Sequence, residues 1–284
     1  MATVTESEGS AGVSPTAHYT GHTWVRNGLS HPQLATWQGR VLHGGFALPL
    51  AASRTLGGPT LDGLLLARHR IIDSILDDLI RGGITQVVEV ACGMSPRGWR
   101  FTERFGERLT YIETDLPGMA ERKRDALARM GSLTVHHRVV DVDVLQEGGP
   151  GSLAALVETL DPAEGLAIIT EGLLMYLDDD TVDALWARIA TELGRFDKGA
   201  YLSDLRFARP DRGLSERTFD AILGAFVRGK VHPYRGDEAE AEAALRSAGF
   251  EQARLHRGDE HPAAADLRSD PGAGVICIVE AGSG

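Results

Sequence analysis

The chain has 284 residues, of which 43% are hydrophobic, and its 29 basic and 40 acidic side chains give a formal net charge of −11. This length suffices for one large α/β domain or two small ones. The acidic balance argues against nonspecific nucleic-acid binding, because that binding depends on cationic side chains that neutralise phosphates.

The cysteines and the apolar segments indicate the compartment. Cys92 and Cys277 lie far apart without metal-ligand spacing, so neither a disulfide framework nor a metal site is indicated. The amino terminus lacks a basic start and an apolar run, and no later segment approaches the ~18 unbroken apolar residues that span a bilayer. We therefore expect a cytoplasmic protein without a membrane partner.

The first 60 residues have no clean hydrophobic period. Residues 1–17 are small and polar, which is typical of a flexible tail. Residues 18–60 are richer in tryptophan, histidine and glycine, and we expect a cap of short helices. Several polar and aromatic residues of this cap are candidates for substrate contact: His18, His22, Trp24, Arg26, Asn27, His31 and His43.

Regular structure begins at Leu61. The next 20 residues place apolar side chains at spacings of three, four and seven, which predicts an amphipathic helix ending at Gly82. Arg68 lies on the apolar face of this helix. Because a guanidinium does not lose its proton, Arg68 must pair with an anion. Two interpretations stay open, an ion pair with a neighbour such as Asp73 and a bond to an anionic ligand.

Short apolar runs then alternate with helical stretches. Strands are predicted at 86–91, 108–115, 133–141, 165–172 and 199–205, and two more in EQARLHR and GVICIVEA bring the number to seven. This alternation predicts a doubly wound, mostly parallel α/β sheet of the Rossmann-like type. Residues 206–236 interrupt this alternation of strands and helices, and we interpret them as a cap insertion into a domain that spans 61–284.

Acidic residues end each of the first four predicted strands. Ligands of open α/β sheets bind beyond the carboxyl ends of the strands, so these side chains are candidates for ligand contact. Asp115 follows Gly93 by 22 residues, close to the offset of ~20 at which an acidic residue meets a ribose hydroxyl. The full set is Glu89, Glu113, Asp115, Asp141, Asp143 and Glu171.

The turn after the first strand, ACGMSPRG, narrows the ligand class. It lacks the G-x-G-x-x-G pattern of a dinucleotide site, and Glu89 would repel a pyrophosphate. A carboxylate here suits a cofactor with a cationic amino group or sulfonium. S-adenosylmethionine carries both, together with a carboxylate for Arg68. A nicotinamide-dependent oxidoreductase and a non-catalytic cofactor-binding protein remain alternatives.

Four stretches carry a resemblance to a known family: ARHRIID, EVACGMSPRGWRF, YIETDLPGMAERK and ITEGLLMYL. Their order resembles the leucine carboxyl methyltransferase superfamily, and within it the bacterial branch similar to tetracenomycin-type polyketide carboxyl O-methyltransferases. The resemblance covers roughly residues 18–280 and implies a class I methyltransferase fold with S-adenosylmethionine as cofactor. Eukaryotic members carry Asp-Thr where this chain has Ser95-Pro96, which argues against a protein carboxy-terminus as substrate.

The resemblance also implies roles for particular residues. Arg68 holds the methionine carboxylate of the cofactor, Asp115 takes the ribose hydroxyls, and Glu171 contacts the methionine amino group. Gly93 lies against the methionine chain, while Asp141 and Val142 bracket the adenine. Glu89 is added to this set from the sequence alone.

The methyl acceptor is expected to be a small, polyketide-like secondary metabolite, methylated on a carboxylate or a phenol. A carboxylate is already ionised near neutral pH and needs no general base, and the sequence shows no base motif. Tyr176, just past Glu171, is a candidate at the transfer site. Arg26 and Arg206 are candidates to hold an anionic acceptor.

Other polar residues have structural interpretations. Asp178, Asp179 and Asp180 are expected to cap a helix and complement its dipole rather than bind a metal. His136 and His137 are expected to be structural histidines, and Cys92 a small packing residue.

Overall fold

The computed structural model describes residues 18–39, 41, 59–208, 224 and 231–283. The expected tail at 1–17, the candidate His43 and most of the insertion at 206–236 lie outside the described residues. Within the described part, no helix is long and apolar enough to cross a membrane.

A seven-stranded sheet organises the chain. Its strands are β1 (Ile84–Val90), β2 (Thr110–Asp115), β3 (His137–Asp141), β4 (Gly165–Thr170), β5 (Gly199–Leu205), β6 (Gln252–Arg257) and β7 (Cys277–Ser283). Their order is β3-β2-β1-β4-β5-β7-β6, and β7 alone is antiparallel to its neighbours. The order reverses between β1 and β4, which are paired in parallel. The predicted doubly wound, mostly parallel sheet is confirmed.

Helices cover both faces of this sheet. They are α1 (residues 18–26), α2 (Leu61–Arg81), α3 (Arg97–Phe105), α4 (Pro117–Met130), α5 (Leu153–Val157), α6 (Asp179–Leu193) and α7 (Glu238–Ala248). Because side chains alternate along a strand, Val87 of β1 joins the apolar core under α2 while Val88 joins the core under α6. Two packed layers result, with the sheet between them.

Local signals set the ends of α2. The Thr60 hydroxyl accepts a hydrogen bond from the Gly63 amide at 2.9 Å and so caps the helix. Asp270, more than 200 residues later, accepts the Thr60 hydroxyl at 2.5 Å and fixes that cap against the carboxyl-terminal region. The helix ends at Gly82, as its sequence predicts.

The third strand is shorter than predicted. The prediction placed it at 133–141, whereas β3 begins at His137. The Thr134 hydroxyl accepts hydrogen bonds from the amides of His136 and His137, at 3.1 and 3.0 Å. These bonds hold the residues just before β3 in a turn. Local side-chain bonding therefore replaces the sheet ladder there.

Candidate active site

A cavity of about 350 Å³ opens beyond the carboxyl ends of β1, β2 and β4, where the strand order reverses. This volume lies within the ~300–1,000 Å³ of typical ligand pockets. Six predicted cofactor residues line it: Arg68, Glu89, Gly93, Asp115, Val142 and Glu171. Two predicted substrate residues, Trp24 and Tyr176, line it as well.

The loop after β1 forms the floor of the cavity. Ala91 and Gly93 both have a φ of 52°, so the chain turns sharply away from the strand. The Gly93 amide donates a hydrogen bond to Asp115 at 2.8 Å, and the Leu116 amide donates to the other oxygen of Asp115 at the same distance. Burial raises the pKa of Asp115, and these two amides oppose the rise. Two backbone donors thereby fix the orientation of this carboxylate.

Arg68 reaches the cavity from α2 between two carboxylates. Its Nε donates to Glu171 at 3.0 Å and its Nη1 donates to Asp204 at 3.3 Å. Among the described residues, no hydrogen bond uses its Nη2. Gly172 has a φ of 75°, and a side chain there would lie 3.2 Å from the Arg68 guanidinium. Glycine at position 172 therefore leaves room for the Arg68 guanidinium. Its Nη2 is available to a ligand anion.

Arg97, at the start of α3, is completely buried and contacts three carboxylates. Its Nε donates to Asp73 and its Nη1 to Glu89, both at 2.6 Å. Its Nη2 donates to Glu171 and lies 2.9 Å from Nδ1 of His69. One guanidinium thus joins α2, β1 and the loop after β4.

Glu89 meets protein partners on both of its oxygens. Besides Arg97, it accepts the Tyr111 hydroxyl at 2.6 Å. Its side chain is only 1% exposed, although the residue lines the cavity. These two hydrogen bonds explain how a glutamate can lie in a buried strand, because a buried carboxylate requires charged or hydrogen-bonding partners.

The ionic cluster beside the cavity brings four carboxylates and four basic groups together. The carboxylates of Asp73, Glu89, Glu171 and Asp204 face the guanidiniums of Arg68, Arg97 and the partly exposed Arg100 and the imidazole of His69. Burial opposes ionisation of Glu171, but Arg97, His69 and Arg68 outweigh it and hold the pKa of Glu171 well below its usual range. Among the described residues that line the cavity itself, the carboxylates of Glu89, Asp115, Asp143 and Glu171 outnumber the guanidiniums of Arg68 and Arg122, so the cavity wall favours a cationic group.

The structure places Asp143, and not Asp141, in the cavity wall. The Asp141 side chain is 45% exposed and pairs with Arg124 at 2.7 Å. Val142 between them is buried and lines the cavity. An Asp143 oxygen accepts the Leu145 amide at 2.9 Å, which fixes the loop after β3.

Helix α1 covers the cavity through Thr20 and Trp24. The Trp24 ring stacks on His69 with centroids 4.4 Å apart and is 2% exposed. Nε2 of His18 lies 3.0 Å from a guanidinium nitrogen of Arg122, which lines the cavity. Burial and Arg122 lower the pKa of His18. The expected cap therefore contacts the site through its first helix.

Of the residues predicted to contact substrate, Arg26, Asn27 and Arg206 do not line the cavity, nor do the cap histidines His18, His22 and His31. Arg26 is ion-paired with Asp62, and Asn27 donates to the Thr23 carbonyl at 2.8 Å near the end of α1. The backbone carbonyl of Arg206 accepts the Tyr234 amide at 2.7 Å, beyond the end of β5. Of the cap histidines, His31 caps a short 3-10 helix, Pro32–Leu34.

Residues for which the sequence predicts a structural role make structural contacts. The Asp178 side chain accepts the Thr181 amide at 2.9 Å and caps α6. His137 is buried and lies 3.3 Å from Glu113, which is also paired with Lys123 at 2.8 Å. Cys92 is buried within the floor loop and lines the cavity, and burial raises the pKa of its thiol. No group of metal ligands occurs within the described ranges.

Sequence reasoning missed Arg97, His69 and Asp204. Asp204 is at the end of β5, so the rule that selected carboxylates on the first four strands also selects this one. Arg97 begins a helix, where the dipole disfavours a cation, and that conflict was a signal. His69 had no signal beyond its position next to Arg68.

The fold and the cavity together define a class I, Rossmann-like α/β protein with an acidic cavity at the strand ends. A profile of the leucine carboxyl methyltransferase family matches residues 36–190, just over half of the chain. The chain belongs to this family.

Relatives of similar sequence are named as candidate S-adenosyl-L-methionine-dependent methyltransferases. A Frankia alni protein named as a candidate S-adenosyl-L-methionine-dependent methyltransferase is 33% identical over 184 residues, which cover 63% of this chain and 54% of that protein. The chain covers about half of the curated relatives it matches, 54% and 46% of the first two.

Two solved structures share the fold at 14% identity. A candidate methyltransferase from Thermobifida fusca has a TM-score of 0.63 with 93% of both chains covered. A DUF574 family protein from Streptomyces avermitilis has a TM-score of 0.64, with 94% of this chain and 96% of that one covered.

Proposed function

We propose that this chain is an S-adenosylmethionine-dependent O-methyltransferase. The observation that carries the proposal is the cavity wall, in which carboxylates end neighbouring strands and Arg68 contributes a guanidinium whose Nη2 makes no hydrogen bond to the described residues. A sulfonium and an ammonium group need negative surroundings, and a carboxylate needs the guanidinium. The relatives named as S-adenosylmethionine-dependent enzymes support the same assignment.

Each residue of the wall has a place in this proposal. Nη2 of Arg68 holds the methionine carboxylate, Glu171 accepts from the ammonium group, and Asp115 accepts from the ribose hydroxyls. The floor loop at Gly93 lies along the methionine chain, and Val142 packs against the adenine with Asp143 in reach of its edge. When bound, the cofactor supplies a methyl group made electrophilic by the sulfonium.

The protein contributes positioning and exclusion of water. Trp24 and Thr20 of α1 line the cavity that would hold the reacting atoms, and in this proposal they shield it from water. Alignment of this kind contributes about 7–11 kcal/mol in favourable intramolecular reactions. Methyl transfer to an ionised oxygen requires no further chemistry from side chains, which agrees with a wall built for binding.

We further propose that the acceptor is a carboxylate on a small, polyketide-like molecule. The family description names carboxyl methylation, and the sequence resembles its tetracenomycin-type branch. A carboxylate is ionised near neutral pH, so no side chain has to remove a proton. Tyr176 lines the same cavity as Glu171, which supports the proposal that it orients the acceptor.

Calorimetry tests the cofactor assignment. S-adenosylmethionine and S-adenosylhomocysteine should each bind with one site per chain, and NADH should give no heat. Tight NADH binding without S-adenosylmethionine binding would establish the oxidoreductase alternative instead.

Radiolabelled methyl transfer tests the acceptor. The chain is incubated with methyl-labelled S-adenosylmethionine and a panel of aromatic carboxylic acids and phenols. A carboxylate acceptor gives a methyl ester, which alkali hydrolyses to volatile labelled methanol, whereas a phenol gives an alkali-stable ether. Alkali-stable label alone would contradict the carboxylate proposal.

A further inference from the structure

Arg97 occupies the centre of the ionic cluster but does not line the cavity, and no role in ligand binding follows from its position alone. Its side chain is 0% exposed, and each of its three guanidinium nitrogens donates to a different carboxylate. Such a planar fork fixes the position of its partners more tightly than a single point charge does. Of these three carboxylates, Glu89 and Glu171 line the cavity, and the Glu171 side chain is the more exposed of the two, at 6% against 1%.

We propose that Arg97 is a positioning residue for cofactor binding, which acts by holding the Glu171 carboxylate in the orientation that receives the cationic amino group. This inference rests on the proposed function. Two sides of Glu171 are fixed by protein groups, since one oxygen accepts from Nε of Arg68 and the other accepts from Nη2 of Arg97. The carboxylate is thereby oriented before a ligand arrives.

The rest of the cluster holds Arg97 itself in place. Asp73 on α2 and Glu89 on β1 bind its other two nitrogens at 2.6 Å. Glu89 is in turn held by the Tyr111 hydroxyl from β2. Glu89 therefore acts through Arg97 and Glu171 in this proposal, although its residue lines the cavity.

The charged and titratable groups around Glu171 come from four elements. Arg68 and His69 face it from α2, Arg97 from α3, Asp204 from β5 and Tyr176 from the segment after β4. Burial raises the pKa of Glu171, and among these groups the Arg97 cation contributes most to lowering it. Its loss should make ligand affinity dependent on pH.

A double-mutant cycle tests the inference, with the dissociation constant of S-adenosylmethionine measured by calorimetry on the full chain. Arg97→Lys keeps a cation but loses the fork, and it should weaken binding about tenfold because a small misplacement of a contacting group costs this much or more. Glu171→Gln should weaken binding as well. In the double variant, Arg97→Lys should add less than about twofold, because its partner is already neutral.

The pH profile separates positioning from a loss of general stability. Wild-type affinity should be constant between pH 5.5 and 7, whereas Arg97→Gln, which removes the cation beside Glu171, should bind progressively more weakly as the pH falls in this range. Arg100→Gln is the matched control, since Arg100 lies on the same helix and pairs with the same Asp73. Its affinity should stay flat with pH and close to that of the wild type.

If Arg97→Lys does not fold, Asp73→Asn releases Nε of Arg97 and should weaken binding about threefold in the wild-type background and less in the Glu171→Gln background. Additive losses in the cycle, or a flat pH profile for Arg97→Gln, would overturn the inference. Absence of wild-type binding to S-adenosylmethionine and S-adenosylhomocysteine would instead refute the proposed function from which it starts.

Discussion

At the scale of single residues, the charge of the cavity wall depends on a few atoms that are fixed by their neighbours. Asp115 is held by two backbone amides, and Glu171 is held by two guanidiniums. Such contacts orient a carboxylate and keep it in the form that accepts hydrogen bonds. Ligand affinity therefore depends on the carboxylates of the wall and on the buried groups that hold them, and it should not change when an exposed charge outside both sets is removed.

Asp141 and Asp143 provide a matched pair for this expectation. Asp143→Asn removes a charge from the wall and should raise the dissociation constant of S-adenosylmethionine about tenfold, the usual effect of losing a hydrogen bond to a charged group. Asp141→Asn removes an exposed charge paired with Arg124 and should leave affinity within about twofold of wild type. Calorimetry at pH 7.5 measures both, and the reverse order of effects would place Asp141 in the site.

The sequence identified most of the wall because strand ends are readable from hydrophobic runs. Glu89, Asp115 and Glu171 each follow such a run, and all three line the cavity. Arg97 could not be placed in the same way, since its partners Asp73 and Glu171 are separated from it by 24 and 74 residues. Pairings of this kind depend on tertiary packing and leave no local pattern.

At the scale of elements, α3 packs unusually close to the sheet because its second residue is Gly98. A methyl group there would overlap Oε1 of Glu113 on β2 and lie 2.9 Å from Nε2 of His137 on β3. These partners form a buried cluster with Lys123, which also donates to the Ser95 carbonyl in the floor loop. The position of α3 is therefore coupled to the shape of the floor.

Gly98→Ala should lower the free energy of unfolding by about 1–3 kcal/mol, the usual cost of an added methyl group in a packed interior. Chemical denaturation followed by circular dichroism measures the change. Gly118→Ala is the control, because a methyl group there meets no atom within 4 Å and should alter stability by less than about 0.5 kcal/mol. Equal effects of the two substitutions would show that the packing of α3 is not tight.

Helix α1 brings an optical probe to the cavity. Trp24 lines the cavity, whereas Trp37 is 65% exposed and lies outside the lining. Binding of S-adenosylhomocysteine should change the tryptophan fluorescence, and Trp24→Phe should remove most of that change. Trp37→Phe should retain it. A signal that survives Trp24→Phe and disappears with Trp37→Phe would contradict the position of α1 over the site.

Helices and strands differed in how well their bounds could be predicted. The spacing of apolar residues predicted α2 with the bounds that the structure has, because a long amphipathic stripe and a terminal glycine both mark it. The start of β3 was wrong by four residues, because the apolar run continues through a turn made by Thr134. Polar side chains that bond to nearby amides override propensity at such places.

At the scale of the whole molecule, buried carboxylates link stability to pH. Burial opposes ionisation of Asp73, Glu113 and Glu171, but neighbouring histidines, arginines and Lys123 hold the pKa of each below its usual range. Their contribution to stability is present above the ordinary carboxyl pKa and is lost as the pH falls through the lower folded value. Asp115 and Asp204 act oppositely, since burial raises their pKa.

The unfolding temperature should therefore be nearly constant from pH 8 to 6 and should fall below about pH 4.3, the ordinary pKa of a glutamate. The ion pairs hold the pKa of Glu171 well below its usual range, so Glu171→Gln should show a smaller fall over the acid range than wild type. Differential scanning calorimetry in buffers from pH 3 to 8 measures both. An unfolding temperature that rises on acidification would contradict the ion pairs described.

The doubly wound class of the fold followed from alternation of strands and helices, but the order β3-β2-β1-β4-β5-β7-β6 did not. Strand order depends on the direction in which each crossover packs, which a single sequence does not encode locally. The direction of β7, which lies antiparallel between β5 and β6, could not be predicted for the same reason.

All described residues of the cavity wall lie between Thr20 and Leu177, while β6 and β7 close the far side of the sheet. The carboxyl-terminal strands act on ligand recognition only through the frame that they complete. Substitutions in β6 and β7 that preserve the sheet and the buried side chains of β7 can therefore accumulate without altering what the cavity selects.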